Sequence, residues 1–157
     1  LYGKLRGLIG LWKPRKIVVD ATGVGAGLSS FLEKSYRGRV VPFVFSSKTK
    51  SDLFWNFLAV CDTGRFKEWT RELKHDEQED FWRECDACQY EVREGAGKLV
   101  RWGVPHGTRN NETGELLHDD FLISAALCAV LDSEVWAVEG GREVVRGRDP
   151  LEDEKGF

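Results

Sequence analysis

A run of three β-branched residues, Ile17-Val18-Val19, ends on Asp20 and passes directly into Ala21-Thr22-Gly23-Val24-Gly25-Ala26-Gly27. A short apolar run of this kind reads as a strand buried on both faces. The glycines read as a tight turn, and the apolar periodicity from Leu28 to Ser35 as a helix. A second β-rich run, Arg39 to Phe45, follows. Strand, helix and strand in that order require a right-handed parallel crossover, which restricts the chain to α/β architectures. Asp20 then falls at the carboxyl end of a sheet strand, where ligands bind in open α/β folds; a turn hydrogen bond is the competing role for it.

The glycines do not make a nucleotide site. A dinucleotide fingerprint requires glycine at the first, third and sixth places. Counting from Gly23, the sixth place is Leu28; counting from Gly25, it is Ser30. A phosphate loop would end in Gly-Lys-Ser/Thr, and no lysine occurs between Lys16 and Lys34. The turn is instead expected to let a bulky group approach Asp20 closely.

The second informative segment is His118-Asp119-Asp120, set where a polar loop meets the apolar run from Phe121 to Leu131. Carboxylates here either cap the backbone amides of a helix or, with the imidazole, hold a divalent metal. The run is apolar nearly all round, so the helix is expected to be buried.

Elsewhere the periodicity predicts a helix over Tyr2 to Trp12 ended by Pro14, and a helix from Ser51, as its cap, to Cys61. It also predicts a short strand over Arg65 to Trp69 and a helix over Glu77 to Gln89. A hairpin is expected from Tyr90 to Arg93 and Leu99 to Val104, then a loop over Pro105 to Leu117. We read 1-135 as one domain and 136-157, rich in Gly, Arg and acids, as a polar, flexible tail. The chain of 157 residues contains no Met, which is expected of a segment of a longer polypeptide.

Charge is uneven. Residues 1–50 hold ten Lys/Arg against two acids, whereas 51–131 hold nine against sixteen. Arg37, Arg39, Lys48 and Lys50 form a basic stretch that reads either as a contact for a phosphate backbone or as a solvated face. Of the four cysteines, Cys61, Cys85, Cys88 and Cys128, only Cys85 and Cys88 are spaced as a Cys-x-x-Cys pair. No second pair completes a zinc site, and His75 and His106 are the only other candidate ligands, so the pair reads as core packing. No apolar run approaches the roughly 18 residues of a membrane span; a soluble, intracellular chain is expected.

The two motifs together, Val18-Val19-Asp20-Ala21-Thr22-Gly23-Val24-Gly25 and Thr113-Gly114-Glu115-Leu116-Leu117-His118-Asp119-Asp120, with Ser124-Ala125-Ala126-Leu127 and Trp102-Gly103-Val104-Pro105, resemble the C-terminal nuclease domain of the large terminase subunit of tailed bacteriophages. The resemblance covers about residues 1–132. It implies an α/β, ribonuclease H-like mixed sheet flanked by helices, with the family's N-terminal strands and one catalytic acid lying before Leu1. It further implies a metal-dependent endonuclease that cuts double-stranded viral DNA in the host cell cytoplasm, with two Mg²⁺ or Mn²⁺ ions. The portal protein and the small terminase subunit are the partners it implies, with assembly into an oligomer in the packaging motor. By the motif match, Asp20 corresponds to one catalytic, metal-ligating acid and the Asp119-Asp120 pair to another, with Asp120 the favoured ligand of the pair. His118 would position water or the leaving group, and Arg37, Arg39, Lys48 and Lys50 would contact DNA. Two-metal hydrolysis suits such carboxylates, since hard oxygen donors select Mg²⁺ or Mn²⁺. Two alternatives remain: another ribonuclease H-like enzyme, such as a resolvase or transposase relative, and a docking fragment that binds DNA or portal without cutting.

Overall fold

The computed structural model of the chain describes residues 1–67, 76–95 and 97–136. The predicted parallel crossover is present: β1 (Ile17–Asp20) and β2 (Val40–Phe43) pair in parallel, with Ile17 opposite Val40 and Asp20 opposite Phe43, and α2 (Gly25–Ser35) joins them. The predicted hairpin is also present. β3 (Gln89–Val92) and β4 (Val100–Gly103) pair antiparallel, Tyr90 facing Trp102 and Glu91 facing Arg101. Among the described residues these form two separate two-stranded sheets in a mixed α/β chain.

β1 is β-branched because both its faces are covered. Ile17 and Val19 pack with Ile9, Leu32 and Val40, the cluster under α1 (Tyr2–Trp12) and α2. Val18 turns the other way, into the larger cluster of Leu53, Val100, Trp102, Leu122, Ala126 and Leu127. That cluster is built from α3 (Ser47–Asp62), β4 and α5 (Asp120–Leu127), which continues as a 3-10 turn over Cys128–Ser133. The period-two alternation of a strand thus sends successive residues into two different cores.

Boundaries differ from the periodic reading in two instructive places. α3 begins at Ser47 and not after Ser51, because Ser46 and Thr49 form a reciprocal capping box that periodicity does not weigh. Ser51 is buried one turn in, where its Oγ accepts the Val100 N–H at 2.9 Å. α2 begins at Gly25, three residues earlier than its first apolar position. The loop from Pro105 to Leu117 is more ordered than its composition suggests. Arg109 and Leu116 form a β-bridge, and Asn110 Oδ1 accepts the Glu112 N–H at 2.8 Å. Arg83 on α4 (Asp76–Ala87) pairs with Glu112 at 3.0 Å, tying this loop to the helix.

Arg65 to Lys67 form no strand, and Glu68 and Trp69 lie outside the described residues, as do His75 and residues 137–157 of the expected tail. Among the described residues no helix is long and apolar enough to cross a membrane.

Candidate functional site at the carboxyl edge of the parallel pair

Asp20 ends β1 exposed, and its Oδ1 accepts the Thr22 N–H at 2.8 Å, the hydrogen bond that starts the glycine turn. Thr22 Oγ1 in turn accepts the N–H of Phe45, just beyond β2, at 2.8 Å. Gly25 is required here by its own backbone neighbour: a Cβ at this position would overlap the Asp20 carbonyl oxygen. Gly25 thus makes room for the backbone of Asp20, whose side chain stays exposed while it makes the turn hydrogen bond.

One residue after Phe45, Ser46 caps α3, and in the first turn of that helix stands Lys50. Lys50 Nζ lies 3.6 Å from Asp119 Oδ2 and 5.6 Å from the centre of the Trp102 ring. Its carbonyl accepts the Trp102 indole N–H at 2.7 Å, so backbone and side chain of one lysine hold the same tryptophan. Gly103, with φ of +134°, leaves the space that Asp119 fills; a Cβ there would overlap the Asp119 carboxylate. A continuous series of contacts from Asp20 through Thr22, Phe45, Ser46 and Lys50 thus reaches Asp119. The opposite end of the α5 segment is fixed to the other edge of the sheet, where Glu134 pairs with Lys16 at 2.8 Å. Lys50 thus links Asp119, at the start of α5, to the carboxyl end of the parallel pair where Asp20 lies, and Asp120 follows Asp119 as the first residue of that helix.

Asp119 occupies the cap position of α5 without making a side-chain cap hydrogen bond. The cap is supplied from α4 by Glu84, only 4% exposed, which accepts the Leu122 N–H at 2.7 Å. Burial pushes the Glu84 carboxyl up; the Leu122 and Phe121 N–H groups pull it back, and the charges of Asp120 and Asp119 raise it further. This frees both aspartates for other work. Sequence reasoning passed over Glu84, whose signal was a lone acid at the apolar positions of a helix, beside Phe81 and Cys85.

His118 is exposed and lines, with Lys50, Tyr90, Arg101, His106 and Asp119, a groove of about 680 Å³. Lys48 lies at the same edge but pairs with Asp52 at 2.6 Å. Arg37 and Arg39 are elsewhere: Arg39 precedes β2 and its carbonyl accepts the Ile17 N–H, at the edge opposite Asp20. The four-residue basic stretch is thus divided between two edges of the sheet. The Cys85-Cys88 pair fits packing, whereas Cys61 and Cys128 are exposed. Burial raises the thiols of Cys61 and Cys88 and raises Cys85 to about 11, and Cys85 and Cys88 lie against the larger core.

The carboxylates of Asp20, Asp119 and Asp120 are oxygen donors of the kind that suits a hard cation, and the Cys88 thiol beside Asp119 is held up by burial. Among the described residues no three His, Cys, Asp or Glu side chains converge tightly enough to form a ready-made cage. No protein-family model, no curated protein and no solved structure matches the chain.

Proposed function

We propose that this chain is the ribonuclease H-like nuclease domain of a viral DNA-packaging terminase, a divalent-metal-dependent endonuclease acting on concatemeric double-stranded DNA. What supports the reading is the series of contacts that links Asp20 through Thr22, Phe45, Ser46 and Lys50 to Asp119, two acidic segments about a hundred residues apart in sequence. Asp20, Asp119 and Asp120 would hold Mg²⁺ or Mn²⁺, and the bound ions would supply an activated water and stabilise the leaving oxygen.

The chain's own residues set up the rest. Glu84 holds the first turn of α5 so that Asp119 and Asp120 are presented beside the groove. Gly103 gives Asp119 room, and Lys50 balances its charge where a phosphate would approach. His118 stands at the groove wall, in position to hold water or the leaving group through hydrogen bonds. The portal protein and the small terminase subunit would be met through the whole packaging protein.

The pairing of Asp119 with Lys50, which already balances one of the carboxylates, favours a second reading, a fragment that binds DNA or portal without cutting. Asp20→Asn separates the two in a Mn²⁺-supported cleavage assay run beside DNA binding. A nuclease loses cleavage and keeps its affinity; a docking fragment shows no Mn²⁺-dependent cleavage in either form. An anomalous map from Mn²⁺-soaked crystals tests the ligands directly, and a peak away from Asp20, Asp119 and Asp120 would sink the assignment.

A further inference from the structure

Resting on the nuclease reading, we infer that the sugar-phosphate backbone of the DNA lies in a trough along β4, held by Lys50, Arg101 and Arg93, and not along the Arg37-Arg39 edge. Two cavities meet there. The groove of about 680 Å³ that contains His118 and Asp119 shares Lys50 and Arg101 with a second cavity of about 260 Å³, whose wall adds Arg93. Lys50 and Arg101 line both cavities, so the two adjoin along β4, and the inferred trough joins them from Asp119 across the hairpin.

Its charge is mostly uncommitted. Arg93 and Arg101 are exposed and make no ion pair among the described residues. Lys50 is committed to Asp119 at 3.6 Å, longer than a direct charge-assisted hydrogen bond. Glu91, opposite Arg101 across the hairpin, and Asp119 are the acids on the trough wall. Three cations line these cavities, with Tyr90 68% exposed on the wall of the larger one. A chain of phosphates offers the matching spaced charge, and such contacts position a duplex without reading its sequence.

The test is fluorescence anisotropy of a labelled DNA duplex with the full chain in EDTA, as a function of salt. The double variant Arg93→Ala, Arg101→Ala should weaken binding at low salt by about tenfold or more and lower the slope of log K against log salt by about two. Arg37→Ala with Arg39→Ala should leave both unchanged, and Arg93→Lys with Arg101→Lys should restore binding, which separates lost charge from lost fold. The inference is overturned if the chain binds no duplex, or if the Arg37 and Arg39 variant carries the loss. It is equally overturned if a poly-glutamate peptide displaces the duplex at equal charge concentration, which would indicate an acidic protein partner. If binding depends on Arg93 and Arg101 while Asp20→Asn leaves Mn²⁺-dependent cleavage intact, the trough stands and the catalytic assignment of Asp20 falls.

Discussion

The buried Glu84 carboxylate on α4 accepts the backbone N–H of Leu122 at 2.7 Å, so the first turn of α5 is capped from a neighbouring helix and not by its own aspartates. The cap holds the first turn of the helix at whose start Asp119 and Asp120 stand. Removing it should be costly for two reasons: a buried N–H is left without a partner, and the position of the aspartates is released. Glu84→Ala should destabilise the fold by about 1–3 kcal/mol in urea denaturation. Glu84→Gln, which keeps an accepting oxygen, should lose clearly less.

The same residue gives a pH dependence with a defined sign. Its carboxyl is raised in the folded chain, so the folded state binds the proton more tightly than the unfolded one. The stability Glu84 contributes is therefore full below the ordinary glutamate range and is lost as pH rises through its raised value. The gap in stability between the native chain and Glu84→Gln should shrink over that window, measured by urea denaturation at successive pH values. A gap that widens would show that the cap outweighs burial.

Gly103→Ala puts a methyl group on the Asp119 carboxylate at a backbone φ that side chains rarely adopt. We expect a loss of about 1–3 kcal/mol from backbone strain alone, and Mn²⁺ affinity should fall more than in Gly97→Ala, where nothing lies within 4 Å of the added methyl. Equal effects from the two would mean that the space beside Asp119 is not used.

Ser51→Ala removes the hydroxyl that accepts the Val100 N–H and should cost about 1–3 kcal/mol by leaving a buried donor unpaired. Thermal unfolding of Ser51→Ala beside Ser51→Thr would check it, provided the threonine hydroxyl takes the same hydrogen bond. Indistinguishable melting would show that water replaces the serine.

Cys85 should resist alkylation in the native chain, since burial raises its thiol to about 11 and leaves little thiolate near neutrality. Iodoacetamide labelling followed by peptide mass mapping should find Cys85 modified only after unfolding in urea. Rapid native labelling would contradict the packing role of the Cys-x-x-Cys pair.

The crossover and the hairpin were legible because each rests on local signals: β-branched runs, glycine turns, and the period of α2. That β1 is covered on both faces was legible for the same reason, although Ile17, Val18 and Val19 are half-buried and not fully enclosed. What escaped depends on partners distant in sequence. Ser51 looked like a cap because a serine before an apolar run usually is one; its actual partner, Val100, is 49 residues away. Asp119 looked like a cap by position, and only the fold brings Glu84 across 38 residues to take that role. The basic stretch 37 to 50 is continuous in sequence, yet β2 runs through its middle and carries its two halves to opposite ends of the sheet.

Strand β1 is four residues long, and its alternate side chains belong to two different cores. A slip of one residue would exchange Val18 with its neighbours and expel every side chain from its place. The strand that carries Asp20 is therefore held in register by hydrocarbon on either side, and the Thr22 N–H then fixes the carboxylate at its end. Asp20→Asn, which keeps an oxygen for the Thr22 N–H, can remove chemistry without disturbing registration, whereas a change at Val18, packed against the larger core, would disturb it.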